Sequence, residues 1–354
     1  MIVKPIAIAL SLSAMSLPAL AAPRGEPVTG TLPLGDKPGN PTYEMPANQR
    51  LISPFGERPV FSPDGRKIAF IGRSYGDAFE YDFATGRVRN LTGHMPHQGF
   101  LRVHYLHDGS FILAGPHVPA ATREDTRLKT IELFWLDAAA TRPPVPLKMT
   151  IFEGVATSRS SNRIAWTEVR PRGATWATAD STVLFTGRVA VSDGSATMSD
   201  VQEVTTTTDC LVEAQDFLPG EKGLTMPCYR FGSKAGGPVT EVVSVDFATK
   251  KITRYPTPPN LYGEVEGIFP DGRRTLVECS GDRAAGMDLC VLDLKPANPA
   301  YTRLTHIMDY GRWKYGNPVV SPDGRTIAAQ VGSADVVDAG VGQGIVLIDV
   351  PEDF

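Results

Sequence analysis

Pro59-Val60-Phe61-Ser62-Pro63-Asp64-Gly65-Arg66-Lys67-Ile68-Ala69-Phe70 reads as a strand, a tight turn and a second strand. Proline pre-sets φ and glycine tolerates positive φ, so Pro-Asp-Gly reverses the chain. The flanking apolar runs have strand length and composition. The unit recurs. Pro318-Val319-Val320-Ser321-Pro322-Asp323-Gly324-Arg325-Thr326-Ile327-Ala328 is nearly a copy, and Glu266-Gly267-Ile268-Phe269-Pro270-Asp271-Gly272-Arg273-Arg274-Thr275-Leu276 is a third. Looser versions centre on His107-Asp108-Gly109, Ser160-Ser161-Asn162 and Pro219-Gly220-Glu221. Six hairpins at roughly 45–55-residue spacing indicate propeller blades or solenoid units.

Each unit continues in the same way. After the hairpin (strands a and b) comes a strand ending in Asp82-Phe83-Ala84-Thr85 in the first unit and Asp246-Phe247-Ala248-Thr249 in the fourth. Arg89-Asn90-Leu91-Thr92 and Arg303-Leu304-Thr305 then end their units as outer strands d. The last unit stops at its third strand, Gly344-Ile345-Val346-Leu347-Ile348-Asp349-Val350, and Arg50-Leu51-Ile52 resembles the outer-strand motif. Residues 45–53 are therefore expected to supply the missing strand and close the ring, which removes the exposed edge. The expected fold is an all-β, six-bladed propeller of four-stranded antiparallel blades over residues 45–354. Residues 22–44, rich in proline and glycine, form an extended lead-in.

The first 21 residues read as a secretory signal: Lys4, an apolar run from Ile6 to Leu17, and Ala19-Leu20-Ala21 before the cut. No other run approaches transmembrane length. The expected location is the periplasm or the exterior. A formal net charge of −4 provides no basic patch for nucleic acid. An oxidising compartment permits disulfides. Cys210 and Cys228 flank the fourth hairpin, and Cys279 and Cys290 sit on successive strands of the fifth unit, so the expected pairs are 210–228 and 279–290.

Ser-Pro-Asp-Gly-x-x-Ile-Ala, an aromatic-x-Asp strand and Arg-x-Leu-Thr together resemble the WD40-like propeller repeat of TolB-type proteins, over about residues 45–354. The likeness is sharp in units one, five and six. It implies a propeller. Activity does not follow, because propellers host many functions. Oligogalacturonate lyases are propellers with similar hairpins and hold a metal on histidines just before blade hairpins. Here Tyr315-Gly316-Asn317 precedes Pro318 where that group has His-x-His, and Val265 and Glu266 replace an earlier histidine.

Gly72-Arg73-Ser74-Tyr75-Gly76 spells G-x-S-x-G, but a nucleophile elbow needs a strand, the serine and a helix in a parallel sheet. Between antiparallel strands it reads as a loop. In a propeller the d–a and b–c loops share one end. His94, His97, His117 and His306 fall in such loops, His107 in an a–b turn at the other end, and His104 inside a strand. Glu57, Glu153, Glu213 and Glu264 occupy one position of four innermost strands. Imidazole and carboxylate at one mouth suit a divalent metal or an acid/base pair, and ion pairing with Arg58, Arg102 and Arg312 accounts for the same acids. Arg312, Trp313 and Tyr315 would offer a platform for a sugar ring or anionic polymer, or pack between blades. The expected role is binding of a ligand or partner, a carbohydrate or an envelope protein, by a monomer over the channel. The alternative is a metal-assisted lyase or hydrolase of an acidic carbohydrate. No cofactor is specified beyond that metal.

Overall fold

A computed structural model of the chain describes residues 25–231, 239–333, 335 and 342–351. The segment read as a secretory signal lies outside them. Six antiparallel sheets follow one another along the chain. Blade one is Glu57–Phe61, Lys67–Ile71, Ala78–Asp82 and Arg87–Asn90. Blade two is Arg102–Tyr105, Phe111–Pro116, Ile131–Leu136 and Val145–Thr150, and blade three is Val155–Thr157, Arg163–Arg170, Ser181–Ser192 and Ser195–Thr207. Blade four opens with two short pieces, Leu211–Val212 and Asp216–Phe217, before Gly223–Arg230, Val239–Asp246 and Ile252–Tyr255. Blade five is Tyr262–Ile268, Arg274–Ser280, Asp288–Asp293 and Tyr301–Arg303; blade six begins with Trp313–Val320, Thr326–Ser333 and Gly344–Asp349.

Gln49–Ser53 pairs antiparallel with Gly344–Asp349 and completes blade six, as the motif match implied. A second closure lies upstream of it. Glu26–Val28 pairs with Tyr301–Arg303 as a fifth, outermost strand of blade five. The lead-in then crosses the loops at one end, where the amides of Gly35 and Lys37 donate to the carbonyls of Met308 and Asp309 at 2.9 and 2.8 Å.

The repeated turn owes its shape to local side-chain bonds. Ser62 Oγ donates to Asp64 Oδ1 (2.7 Å) and accepts from the Lys67 amide (3.0 Å), while Asp64 Oδ1 accepts from the Arg66 amide (3.1 Å). Ser321 and Asp323 repeat the three bonds at 2.6, 3.0 and 3.1 Å. The turn glycines Gly65, Gly272 and Gly324 have φ of 70°, 67° and 74°, which L side chains resist. The threonine of the outer-strand motif bonds within its own blade. Thr92 Oγ1 accepts from the Ala78 amide and Thr305 Oγ1 from the Leu289 amide.

Alternation along each strand sends one set of apolar residues to each neighbouring blade. The main core is accordingly six seams. Ile71 and Leu91 meet Phe100 and Leu113 between blades one and two. Similar seams join two to three, three to four, four to five and five to six. Phe61, Ile68 and Phe70 meet Ala328, Ile345 and Leu347 and seal six to one. Both disulfides have the expected partners, with Cα separations of 5.4 Å for Cys210–Cys228 and 5.8 Å for Cys279–Cys290. Among the described residues no helix is long and apolar enough to cross a membrane.

Candidate functional site

The innermost strands of all six blades line the central channel, and three of them carry bulges. Register shifts between Glu57 and Val60, between Val265 and Ile268, and between Gly316 and Val319. Arg58 and Asn317, each just before a proline, take positive φ of 54° and 45°. Bulges re-aim side chains, and here they accompany a belt of ionisable groups.

The four glutamates picked from the repeat are in that belt. Glu57, Glu153 and Glu213 are buried, and Glu264 is half-buried. Each has a different environment. Burial raises the pKa of Glu57, against the pull of Arg58 and of the Ser74 hydroxyl and amide. Glu153 is held by Arg127 Nε at 2.7 Å. Arg127 lies on a seven-residue helix, Arg123–Lys129, in the b–c loop of blade two, capped by Thr122 Oγ1 on the Asp125 amide. Glu213 lies 3.6 Å from Arg102 Nη2, yet burial and the charges of Glu153 and Glu264 push it up to about 8. Glu264 accepts from the hydroxyls of Tyr229 and Tyr262, and Tyr262 accepts from Arg283 Nη1 at 3.0 Å.

Two further carboxylates belong to the belt. Glu278, on the second strand of blade five, is the cross-strand partner of Glu264. Burial and Glu264 push it up to about 7, although it accepts from the Asn317 amide at 2.6 Å. Glu266 is raised well above the ordinary carboxylate range by burial, then by Glu278 and Glu264. Glu266 sits two residues from Glu264, so strand alternation was a usable signal; Glu278 lies outside the aligned position and had none.

Loops from several blades interlock at one mouth. The amide of Tyr75 donates to Phe100 O (2.8 Å), that of Phe100 to Gly76 O (2.9 Å) and that of Met287 to Trp313 O (3.1 Å), which joins b–c loops to d–a loops. Arg127 and Arg283 belong to b–c loops, and Tyr262 and Lys314 to the starts of innermost strands, all at this end. Burial lowers Lys314, with Glu278 opposing. Trp176, in the b–c loop of blade three, stacks edge-on against Phe152 and Tyr229 at 4.6 and 5.1 Å and lies 5.1 Å from the exposed Phe231. No sequence motif pointed to this aromatic group, because its members are scattered over blades three and four.

The histidines do not gather. His94 and His117 are exposed. His97 is committed elsewhere: Nε2 lies 3.0 Å from Asp77 Oδ1 in the b–c loop of blade one, and Nδ1 accepts from the Gly99 amide at 2.8 Å. His306 lines a separate hollow with Lys37, Glu44 and Tyr310, under the lead-in. Among the described residues the one three-residue group with ligating atoms in mutual reach is Asp209, Cys210 and Cys228, and its sulfurs are joined to each other. A metal centre on His94, His97, His117 and His306 is therefore not assembled. His107 bonds the Arg159 carbonyl at 2.8 Å. His104, placed inside a strand by the repeat, lines the channel, where burial and the charges of Arg102 and Arg58 lower it to about 3.

The expected platform is also corrected. Tyr315 is buried in the seam between blades five and six, its hydroxyl donating to Gln49 Oε1 at 2.6 Å, and Trp313 packs on the same seam. Arg312 bonds Asp335 and the Ala284 carbonyl. Ser74 of the G-x-S-x-G stretch is buried in the loop after the second strand of blade one, and the element that follows it is the strand Ala78–Asp82 rather than a helix.

Neither a protein-family model nor a curated protein sequence matches the chain. Solved structures match in fold. A TolB candidate from Agrobacterium tumefaciens is 16% identical, with a TM-score of 0.51 over 73% of this chain and 78% of its own. An oligogalacturonate lyase in complex with manganese is 13% identical, with a TM-score of 0.50 over 93% of this chain and 97% of its own. Identity at that level speaks for fold alone. By its closed ring, its Ser-Pro-Asp-Gly turns and these likenesses, the chain has the TolB-like, WD40-like propeller fold that its repeats resemble.

Proposed function

We propose that the protein is an exported propeller that binds a polar ligand, a carbohydrate, at the mouth formed by the d–a and b–c loops. One observation carries the reading: Arg283, Tyr262 and Glu264 form a hydrogen-bonded chain at the channel mouth, with Tyr229 joining it to the aromatic group of Trp176 and Phe231. Aromatic faces against sugar rings and a charged, donor-rich rim are what carbohydrate recognition requires. Export to the periplasm or beyond agrees with the two disulfides and with the leader-like first 21 residues. The protein acts as a monomer, and an envelope protein is the competing partner.

Titration with acidic and neutral oligosaccharides, followed by tryptophan fluorescence and calorimetry, tests it. A saturable signal that weakens at least tenfold in Tyr262→Phe and Arg283→Gln is expected. No saturable binding of any sugar, with capture of a defined envelope protein instead, would discard it.

A second reading has the same mouth cleave an acidic carbohydrate. Glu213 and Glu278, raised to about 8 and about 7, supply its motive, since groups poised near neutrality serve as general acids and bases. The lyase among the fold neighbours acts on an oligogalacturonate, and that substrate is the first to try. Unsaturated products or new reducing ends, lost in Glu278→Gln while binding persists, are expected. Binding without turnover across pH 5–9 decides against catalysis.

A further inference from the structure

We propose that the end of the channel formed by the a–b turns is a second site, distinct from the loop mouth, that holds one small oxyanion on Arg58, Arg102 and Gln215. Three of the residues that line one cavity there each carry a buried donor without an acceptor among the described residues. These donors are Arg58 Nε, Arg102 Nε and Gln215 Nε2. They come from the innermost strands of blades one, two and four, so no single local distortion explains all three. The cavity they line is about 100 Å³, and residues of all six innermost strands reach it. A single water needs about 10–15 Å³ of such space, so the cavity has room for several waters or one small oxyanion.

The electrostatics agree with the geometry. Arg102 is 7% exposed, and its carboxylate partner Glu213 stands 3.6 Å away. Arg58 is pushed down to about 10 by burial and then by the charges of Arg102 and Arg127, which outweigh the opposing pull of Glu57 and Glu153. Buried cations gather at such a cost only when an anion compensates them. The other cavity charges are accounted for. Arg159 is shared among Asp216 (3.4 Å) and the carbonyls of Ile268 (3.3 Å) and Val320 (3.2 Å). Glu266 also lines the cavity, and its Oε1 is buried without a partner. Burial and Glu278 raise its pKa well above the ordinary carboxylate range, which weakens its repulsion of an anion. His104 is neutral there. The bulge that gives Arg58 its positive φ is part of the arrangement, because in regular extended backbone alternation would aim that side chain elsewhere.

The test uses the full-length mature protein and inorganic phosphate. Phosphorus NMR line broadening and thermal shift are followed at constant ionic strength, with sodium chloride as the balance. Saturable broadening with a melting temperature that rises by several degrees is expected. Arg58→Gln and Arg102→Gln should each weaken binding at least tenfold, Gln215→Ala several-fold, and Arg102→Lys less than Arg102→Gln. Circular dichroism of each variant guards against misfolding, and Arg102→Lys keeps the test decisive if a glutamine variant fails to fold. A phosphate ester run in parallel separates a free ion from a phosphate group on a larger molecule; binding of either supports the site. No broadening in the unaltered protein, or equal affinity in the unaltered protein, Arg58→Gln and Arg102→Gln, overturns it and leaves the cavity to water.

Discussion

Glu264 and Glu278 face each other as cross-strand partners on the first two strands of blade five. Like charges directly opposite destabilise a sheet. The conflict is relieved unequally: Glu264 accepts from two tyrosine hydroxyls, while Glu278 retains its proton up to about 7.

A pH dependence follows, and its sign is definite. Glu278 and Glu213 have folded pKa values of about 7 and about 8, above the unfolded 4.5. A raised acid contributes its full stability below the unfolded pKa and loses it as pH rises through the folded pKa. Stability should therefore fall from about pH 4.5 to about pH 8, by something on the order of 3 kcal/mol for Glu278 alone. Glu278→Gln should flatten that fall. Denaturant midpoints at half-unit pH steps measure it; identical slopes in the variant would remove Glu278 as the cause.

The turns around the a–b end pack on one another, and glycine permits it. A Cβ at Gly272 would lie 2.9 Å from Pro219 Cγ of the previous blade, whereas one at Gly109 would meet nothing within 4 Å. Both have positive φ, 67° and 85°. Gly109→Ala should cost only the left-handed penalty, about 1 kcal/mol, and Gly272→Ala about 1–2 kcal/mol more. Urea midpoints compare the two, and equal losses would mean that the turns do not bear on each other.

Truncation separates the two N-terminal closures. Read from sequence, residues 22–44 are only an extended lead-in, while residues 45–53 supply a strand of the ring. Because Glu26–Val28 extends blade five and the amides of Gly35 and Lys37 bond the loop at Met308 and Asp309, removal of 22–43 should cost about 1–3 kcal/mol. Removal through Ser53 should cost far more, since it opens the edge of blade six and strips Gln49 from Tyr315. Melting temperatures of the two truncations that coincide would contradict this.

Reduction should be felt twice. The bridges close short loops, with separations of 18 and 11 residues, and each should contribute about 2–4 kcal/mol. Serine replacement of each pair, with melting in the presence and absence of reductant, is the measurement. A reductant-insensitive melting temperature would show that the unfolded chain gains little freedom.

Local chemistry made much of this protein readable from its sequence. Ser62, Asp64 and Gly65 form their turn from bonds spanning five residues at most, so the motif carries its structure wherever it recurs. Repetition then supplied the blade count, the outer strand from residues 45–53 and the shared position of Glu57, Glu153, Glu213 and Glu264. The cysteine pairs were legible for the same reason, each lying within one blade. What those glutamates meet was decided only by closure of the ring. Arg127 reaches Glu153 from a helix in another blade's loop, and the buried donors of Arg58, Arg102 and Gln215, unpaired among the described residues, come from three blades. The histidines show the reverse: loop type alone assigns four of them to one end, but lateral position depends on loop shape, and His97 and His306 have separate surroundings. Repeat register determines which end of a propeller a residue occupies. Which side chains touch across the channel is decided by non-local packing, which a one-dimensional repeat does not encode.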